Sequence, residues 1–269
     1  MKIDFKSYKW DKEMKELKDV EKNMRAIYNA KKDYYKSDYY VNFEYVYNKF
    51  KDSHKPFQDY IWLYACFNGE FRSIAKYYLI NNDNKKVIDC TFLSAKAWLL
   101  FKEFLDKGID TSSPNIEINL SHYELIICQL IAVNQLESCG SNFEDSITAN
   151  LHYMNEEKAN KLISEIPDNA DDYESIYYET PIFLKEIYKA ILERDAKKFN
   201  DALIKRIKKY RKNMVGYSTI VDYTSIALLK IAEKYGIEKS INVVEIPEFF
   251  WDPTPIDENI RTCIDPSNL

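Results

Sequence analysis

Apolar residues recur along this chain at steps of three and four, the spacing that lines one face of an α-helix. Between Met14 and Lys36, Leu17, Val20, Met24, Ile27 and Tyr28 fall on one face. Asp59 to Ile80 predicts a second helix, with Trp62, Leu63, Cys66, Phe67, Ile74, Tyr77 and Tyr78 spread widely enough for burial on much of its surface. "INNDNKK" (Ile80 to Lys86) reads as a loop, followed by a helix over Ser94 to Asp106 with Leu99, Leu100 and Phe104 inward. Ser121 to Gln135 predicts the next, Ser121 and Glu124 forming a capping box. After "SCGSN" a helix or two runs to about Ile166.

The last third is patterned most clearly. Thr180 is placed to cap a helix whose first turn holds Pro181, and Leu184, Ile187, Tyr188, Ile191 and Leu192 share its face. Asp195 is placed to cap the next, with Phe199, Leu203, Ile207 and Tyr210 inward; the short connection predicts an antiparallel hairpin. A third helix runs from Thr219, boxed by Asp222, through Tyr223, Ala227, Leu228, Ile231 and Tyr235, and stops at Gly236. Each stripe needs a partner. The expected fold is therefore all-α, a bundle or array of antiparallel helical hairpins in a single domain over 1–269, with a candidate lobe boundary near 107–120. No fixed-length repeat marks a solenoid.

"VVEIPEFFWDPTPID" (Val243 to Asp257) breaks the pattern. Its prolines oppose helix formation. The expectation is an extended segment laid back over the bundle, burying Phe249, Phe250 and Trp251; the alternative is an aromatic patch exposed for a partner.

Composition fits that picture. Five glycines in 269 residues are too few for the tight turns of a β-rich fold. The 22 tyrosines provide rings for a core and wet hydroxyls for an interface. A net charge of −5 disfavours a general nucleic-acid binder and suits a basic partner. The five cysteines are widely spaced, with no CxxC, which favours reduced thiols and a cytoplasmic location. The N-terminus lacks the apolar core of a signal peptide, and no apolar run reaches the length of a membrane span.

Candidate chemistry is sparse. His54, His122 and His152 form no HExxH or other close pair, and no GxSxG, Walker loop or GxGxxG occurs. No residue is expected to be catalytic or to hold a cofactor or metal. "KRIKKYRK" (Lys205 to Lys212) reads as the cationic end of an amphipathic helix before it reads as a phosphate site. The opposite charge gathers in "SEIPDNADDYESIYYET", where Glu165, Asp168, Asp171, Asp172 and Glu174 alternate with Tyr173, Tyr177 and Tyr178. A solvated loop explains such a run; so does a docking surface, with tyrosines as contact area and carboxylates opposing a basic partner.

From Tyr188 onward, "YKAILERDAKKFNDALIKRIKKY", "STIVDYTSIALLKIAEKYGIE" and "VVEIPEFFWD" resemble the C-terminal part of the Imm49 family of bacterial immunity proteins. Ala190, Asp195, Phe199, Leu203, Leu228, Ala232, Gly236 and Pro247 are the matching positions, and the likeness covers roughly the last third of the chain. The resemblance implies a cytoplasmic protein that binds and neutralises a cognate toxin, with a basic nuclease-type domain among the candidate partners, and that contacts neither nucleic acid nor membrane. It carries over no catalytic residues. Two other readings stand beside it: a helical scaffold or adaptor holding a peptide, and a metal-dependent hydrolase with scattered ligands.

Overall fold

The computed structural model describes residues 82–106, 120–137, 143–167, 181–214, 221–239, 241–243 and 246–261, together with 47, 48, 68, 69, 71, 72, 74, 75, 78 and 79. Among these the fold is all-α, with no strand. In chain order the helices are α1 (Asn84–Asp106), α2 (Leu120–Ala132), α3 (Ile147–His152), α4 (Glu156–Ser164), α5 (Pro181–Leu192), α6 (Ala196–Met214), α7 (Tyr223–Lys234) and α8 (Glu258–Arg261). The helix expected over 14–36 and the lobe boundary at 107–119 lie outside the described residues.

α2 and α7 form the centre. Ile126, Ile127, Cys128, Leu130, Ile131 and Ala132 are almost completely buried along α2, which packs on α1, α3 and α7. α7 buries every residue from Tyr223 to Leu229. Both helices are therefore buried well beyond one narrow stripe. α5 and α6 pack on each other across Glu193, Arg194 and Asp195, with Leu184, Ile187, Tyr188, Ile191, Phe199, Leu203 and Ile207 inside.

Several helix ends differ from the sequence expectation. α1 begins at Asn84, ten residues before Ser94, because Asp83 is a helix cap: its Oδ1 accepts the Lys86 N–H at 3.1 Å. The polar "NNDNKK" therefore holds a helix start, and Val87 and Ile88 already belong to the core. Asp222 is itself the N-cap of α7, accepting the Ser225 N–H at 3.1 Å, rather than the box partner of Thr219. It also forms a buried ion pair with Arg206, which donates a second bond to Ser225 Oγ at 2.8 Å. Ser121 lies inside α2, and Glu124 faces another helix altogether.

One terminator recurs. After residue 79 and after α2, α3, α5 and α7, the chain turns through a left-handed residue: Asn82, Asn134, Met154, Arg194 and Gly236. At each, two backbone bonds close the helix end; Arg194 N–H to Ile191 O and Asp195 N–H to Ala190 O, both 3.0 Å, are typical. This double bond pattern satisfies carbonyls that a helix end would otherwise strand. At three of the turns the following residue, Asp83, Asn155 or Asp195, caps the next helix through its side chain. Four residues after each cap, Val87, Ala159 and Phe199 are fully buried. Local turn chemistry thus joins successive helices with almost no loop.

The C-terminal segment lies over the core. Phe250 is fully buried against Tyr223, their rings perpendicular at 6.0 Å, while Phe249 and Trp251 are half-buried beside it. Trp251 Nε1 donates to Glu233 at 2.9 Å, and the Lys239 ammonium sits 3.6 Å above its ring. The prolines do not exclude every helical turn: a 3-10 turn follows Pro247, and α8 follows Asp257. Tyr47 donates to the Asn259 carbonyl at 2.8 Å, tying this segment to the early part of the chain.

Candidate functional site

Of the acidic and tyrosine positions expected to dock a partner, the structure describes Glu165. It is exposed, at the C-terminal cap of α4. Asp168, Asp171, Asp172, Tyr173, Glu174, Tyr177 and Tyr178 lie outside the described residues. Both ends of the run are anchored. Ile166 is buried and its carbonyl accepts Lys185 Nζ of α5 at 2.6 Å; the chain re-enters the helical frame at Pro181.

Charge is segregated around this point. Residues 137–180 contain eleven Asp and Glu against two Lys and no Arg, whereas 181–214 contain eleven Lys and Arg against four acids. Glu137, Glu144, Asp145, Glu157 and Glu165 are all exposed. An excess of this kind attracts a basic surface and raises its encounter rate.

A second constellation forms where the C-terminal ends of α2, α3, α5 and α7 are stitched together by cations. Lys230 Nζ of α7 donates to the Ala132 carbonyl at 2.8 Å and to Asn134 Oδ1 at 2.7 Å, closing the end of α2. Burial pushes this ammonium down to about 8. Lys234 donates to the His152 carbonyl at 3.0 Å and to its Nε2 at 3.1 Å. An ammonium donating into the ring favours neutral imidazole. Burial and the Lys234 charge accordingly lower the His152 pKa, against the pull of Glu137 at 3.4 Å. Arg194 pairs with Glu156 at 2.7 Å and lies 5.4 Å over the Tyr235 ring. Cations at these ends complement the negative pole of each helix. Beside them, Tyr153 and Met154 are each 48% exposed, and among the described residues they are the exposed large hydrophobics. "YMNEE" carries no sequence signal that would have picked them out.

The buried polar groups near α3 are structural. Glu124 Oε1 accepts the Ile147 N–H at 3.1 Å, and Ser146 Oγ accepts that of Ala149 at 3.0 Å. Tyr188 and Thr148 share a hydrogen bond of 2.9 Å. Burial raises the Glu124 carboxyl, opposed by the Thr148 and Ser146 hydroxyls, and pushes the Tyr188 phenol well above its usual range. Among the described residues no three His, Cys, Asp or Glu side chains gather as a metal site, and no helix is long and apolar enough to cross a membrane.

No family model, curated protein or solved structure is significantly similar to this chain.

Proposed function

We propose that the chain is an immunity protein: a cytoplasmic helical binder that neutralises a cognate bacterial toxin by covering it, with no catalysis of its own. The observation that carries this reading is the acidic excess over 137–180, exposed at Glu137, Glu144, Asp145, Glu157 and Glu165 on a tightly capped helical frame. Such a surface suits a toxin with a basic, nuclease-type active face, whose nucleic-acid site carboxylates would fill in place of phosphates. The positions that resemble the Imm49 family support the frame. Ala190, Phe199, Leu203, Leu228 and Ala232 are buried, Asp195 caps α6, Gly236 takes φ of +81°, and Pro247 leads into the 3-10 turn. In this reading the resemblance resides in scaffold residues, and specificity resides in the acidic region between α2 and α5.

A second reading, a scaffold that holds a peptide, draws on the repeated cap-sharing turns, since stacked helix pairs are a common framework for extended partners. Replacing Asp168, Asp171 and Asp172 together by Asn discriminates. For an immunity protein with a basic target the affinity falls, and the fall shrinks as salt rises. Unchanged affinity would remove the acidic run from the interface.

A further inference from the structure

We propose that His152 and Lys234 form a proton-operated latch between α3 and α7, closed while the imidazole is neutral and opened when its Nε2 takes up a proton. Two neighbours compete for that one nitrogen: the Lys234 ammonium lies 3.1 Å from it and the Glu137 carboxylate 3.4 Å. A ring nitrogen serves one of them at a time. With a lone pair it accepts from Lys234. With a proton it donates to Glu137, and the ring then carries a positive charge beside the ammonium. Nδ1 gives no escape, since Lys234 Nζ is 3.4 Å from it as well. Each protonation state of the ring therefore selects a different partner.

Sequence position alone argues for the opposite behaviour. His152 is the last residue of α3, where the negative end of a helix favours imidazolium. The fold gives that place to Lys234 instead, whose Nζ donates to the His152 carbonyl at 3.0 Å. The other charges around the ring decide the balance. From α7, Lys234 and Lys230 both oppose a further positive charge, and Glu233 acts on Lys230 in the other direction. Beyond α2, Glu137 favours it, but that carboxylate is 72% exposed and screened, whereas the His152 side chain is 11% exposed. The charges of α4 and α5 are engaged elsewhere: Glu156 with Arg194, Lys158 with Glu144, and Lys185 on the Ile166 carbonyl. Glu124 of α2 serves Ile147 at the other end of α3. Burial and the two lysines outweigh Glu137, and the ring titrates below 6.5.

Opening is local. Lys230 holds the end of α2 through Ala132 and Asn134, in bonds that do not involve the ring. What loosens is the C-terminal end of α3, closed by Tyr153 N–H to Ala149 O at 2.9 Å and Asn155 N–H to Asn150 O at 2.8 Å. α4 packs chiefly on α3 and is capped by Asn155, so it shares the release. Because the folded pKa lies below the unfolded one, the latch contributes fully above 6.5 and is lost as pH falls through the folded value.

The test uses the full chain and needs no partner. Ring-proton NMR follows the histidines over about pH 4 to 8, and His152→Gln identifies the His152 signal by its loss. In the parent His152 is expected to titrate below 6.5, and Lys234→Met is expected to raise that value, since Glu137 remains. Hydrogen exchange, corrected for its intrinsic pH dependence, reads the latch itself. Protection of the Tyr153 and Asn155 amides is expected to fall several-fold as His152 is protonated, while that of Val133, at the end of α2, is kept. His152→Gln should abolish this dependence. A His152 that titrates at or above 6.5, a titration that Lys234→Met does not shift, or protection at Tyr153 and Asn155 that ignores the titration would each overturn the latch. None of these results bears on the immunity reading, which is tested separately.

Discussion

Glu124 of α2 accepts the backbone N–H of Ile147 at 3.1 Å, so a carboxylate placed to cap its own helix caps the start of α3 instead. The two residues are 23 positions apart, and the bond joins the central helix to the beginning of the acidic region. Two chemical consequences follow from burying this group.

Glu124→Ala strands a buried donor and is expected to cost about 1–3 kcal/mol in denaturant unfolding. Glu124→Gln keeps an acceptor for Ile147 without the charge, and its stability at neutral pH is expected to equal or exceed the parent's. Because burial raises the folded pKa above 4.5, the folded state holds its proton longer than the unfolded chain. The parent should therefore lose stability as pH rises through the unfolded value toward the folded one, and the Gln variant should lose that slope. Urea titrations across pH 4 to 8 measure it.

Asp195 accepts the N–H groups of both Lys197 and Lys198 at 3.0 Å, satisfying the first turn of α6. Asp195→Ala is expected to destabilise by about 1 kcal/mol, while Asp195→Asn should retain most of the cap. Equal losses for the two substitutions would show that charge against the helix dipole, rather than the cap bond, is what matters.

How much of this was legible follows from distance along the chain. Pro181, Asp195 and Gly236 were readable because a helix end is decided within a few residues. Asp83 was hidden by its polar neighbours, which look alike whether they form a loop or a first turn. Glu124 and Asp222 carried the right chemistry with the wrong partner, since Ile147 and Arg206 become neighbours only in the fold. The Tyr153–Met154 turn left no trace because methionine gives no hint of a left-handed backbone. That α2 and α7 form the centre was not legible, because their packing on one another and on α1 and α3 joins stretches far apart in the chain.

Phe250 is fully enclosed, and Phe250→Ala is expected to cost about 3–5 kcal/mol. Trp251→Ala should cost less, because that ring is half-buried. Thermal unfolding of both variants checks whether the C-terminal segment is part of the core. Losses near zero at Phe250 would return it to the role of an exposed aromatic patch.

Lys230 closes the end of α2 from α7, and burial lowers its pKa from 10.5 to about 8. A lysine with a depressed folded pKa is a burden while charged in both states, and the burden lifts once the folded form releases its proton first. Stability is therefore expected to rise between about pH 8 and 10.5 relative to Lys230→Met. Carbon-detected NMR of the lysine side chains reads the pKa directly; a value near 10.5 would show that the carbonyls of α2 hold the ammonium fully charged.

The most direct measurement is survival. A candidate cognate toxin, drawn from the basic nuclease-type domains that this reading gives as partners, would be expressed in a sensitive bacterium with and without this chain, and the two proteins co-purified. Growth restored by the chain, with a stable complex recovered, is the outcome expected of an immunity protein. Death despite abundant soluble chain, with no complex recovered, would contradict it.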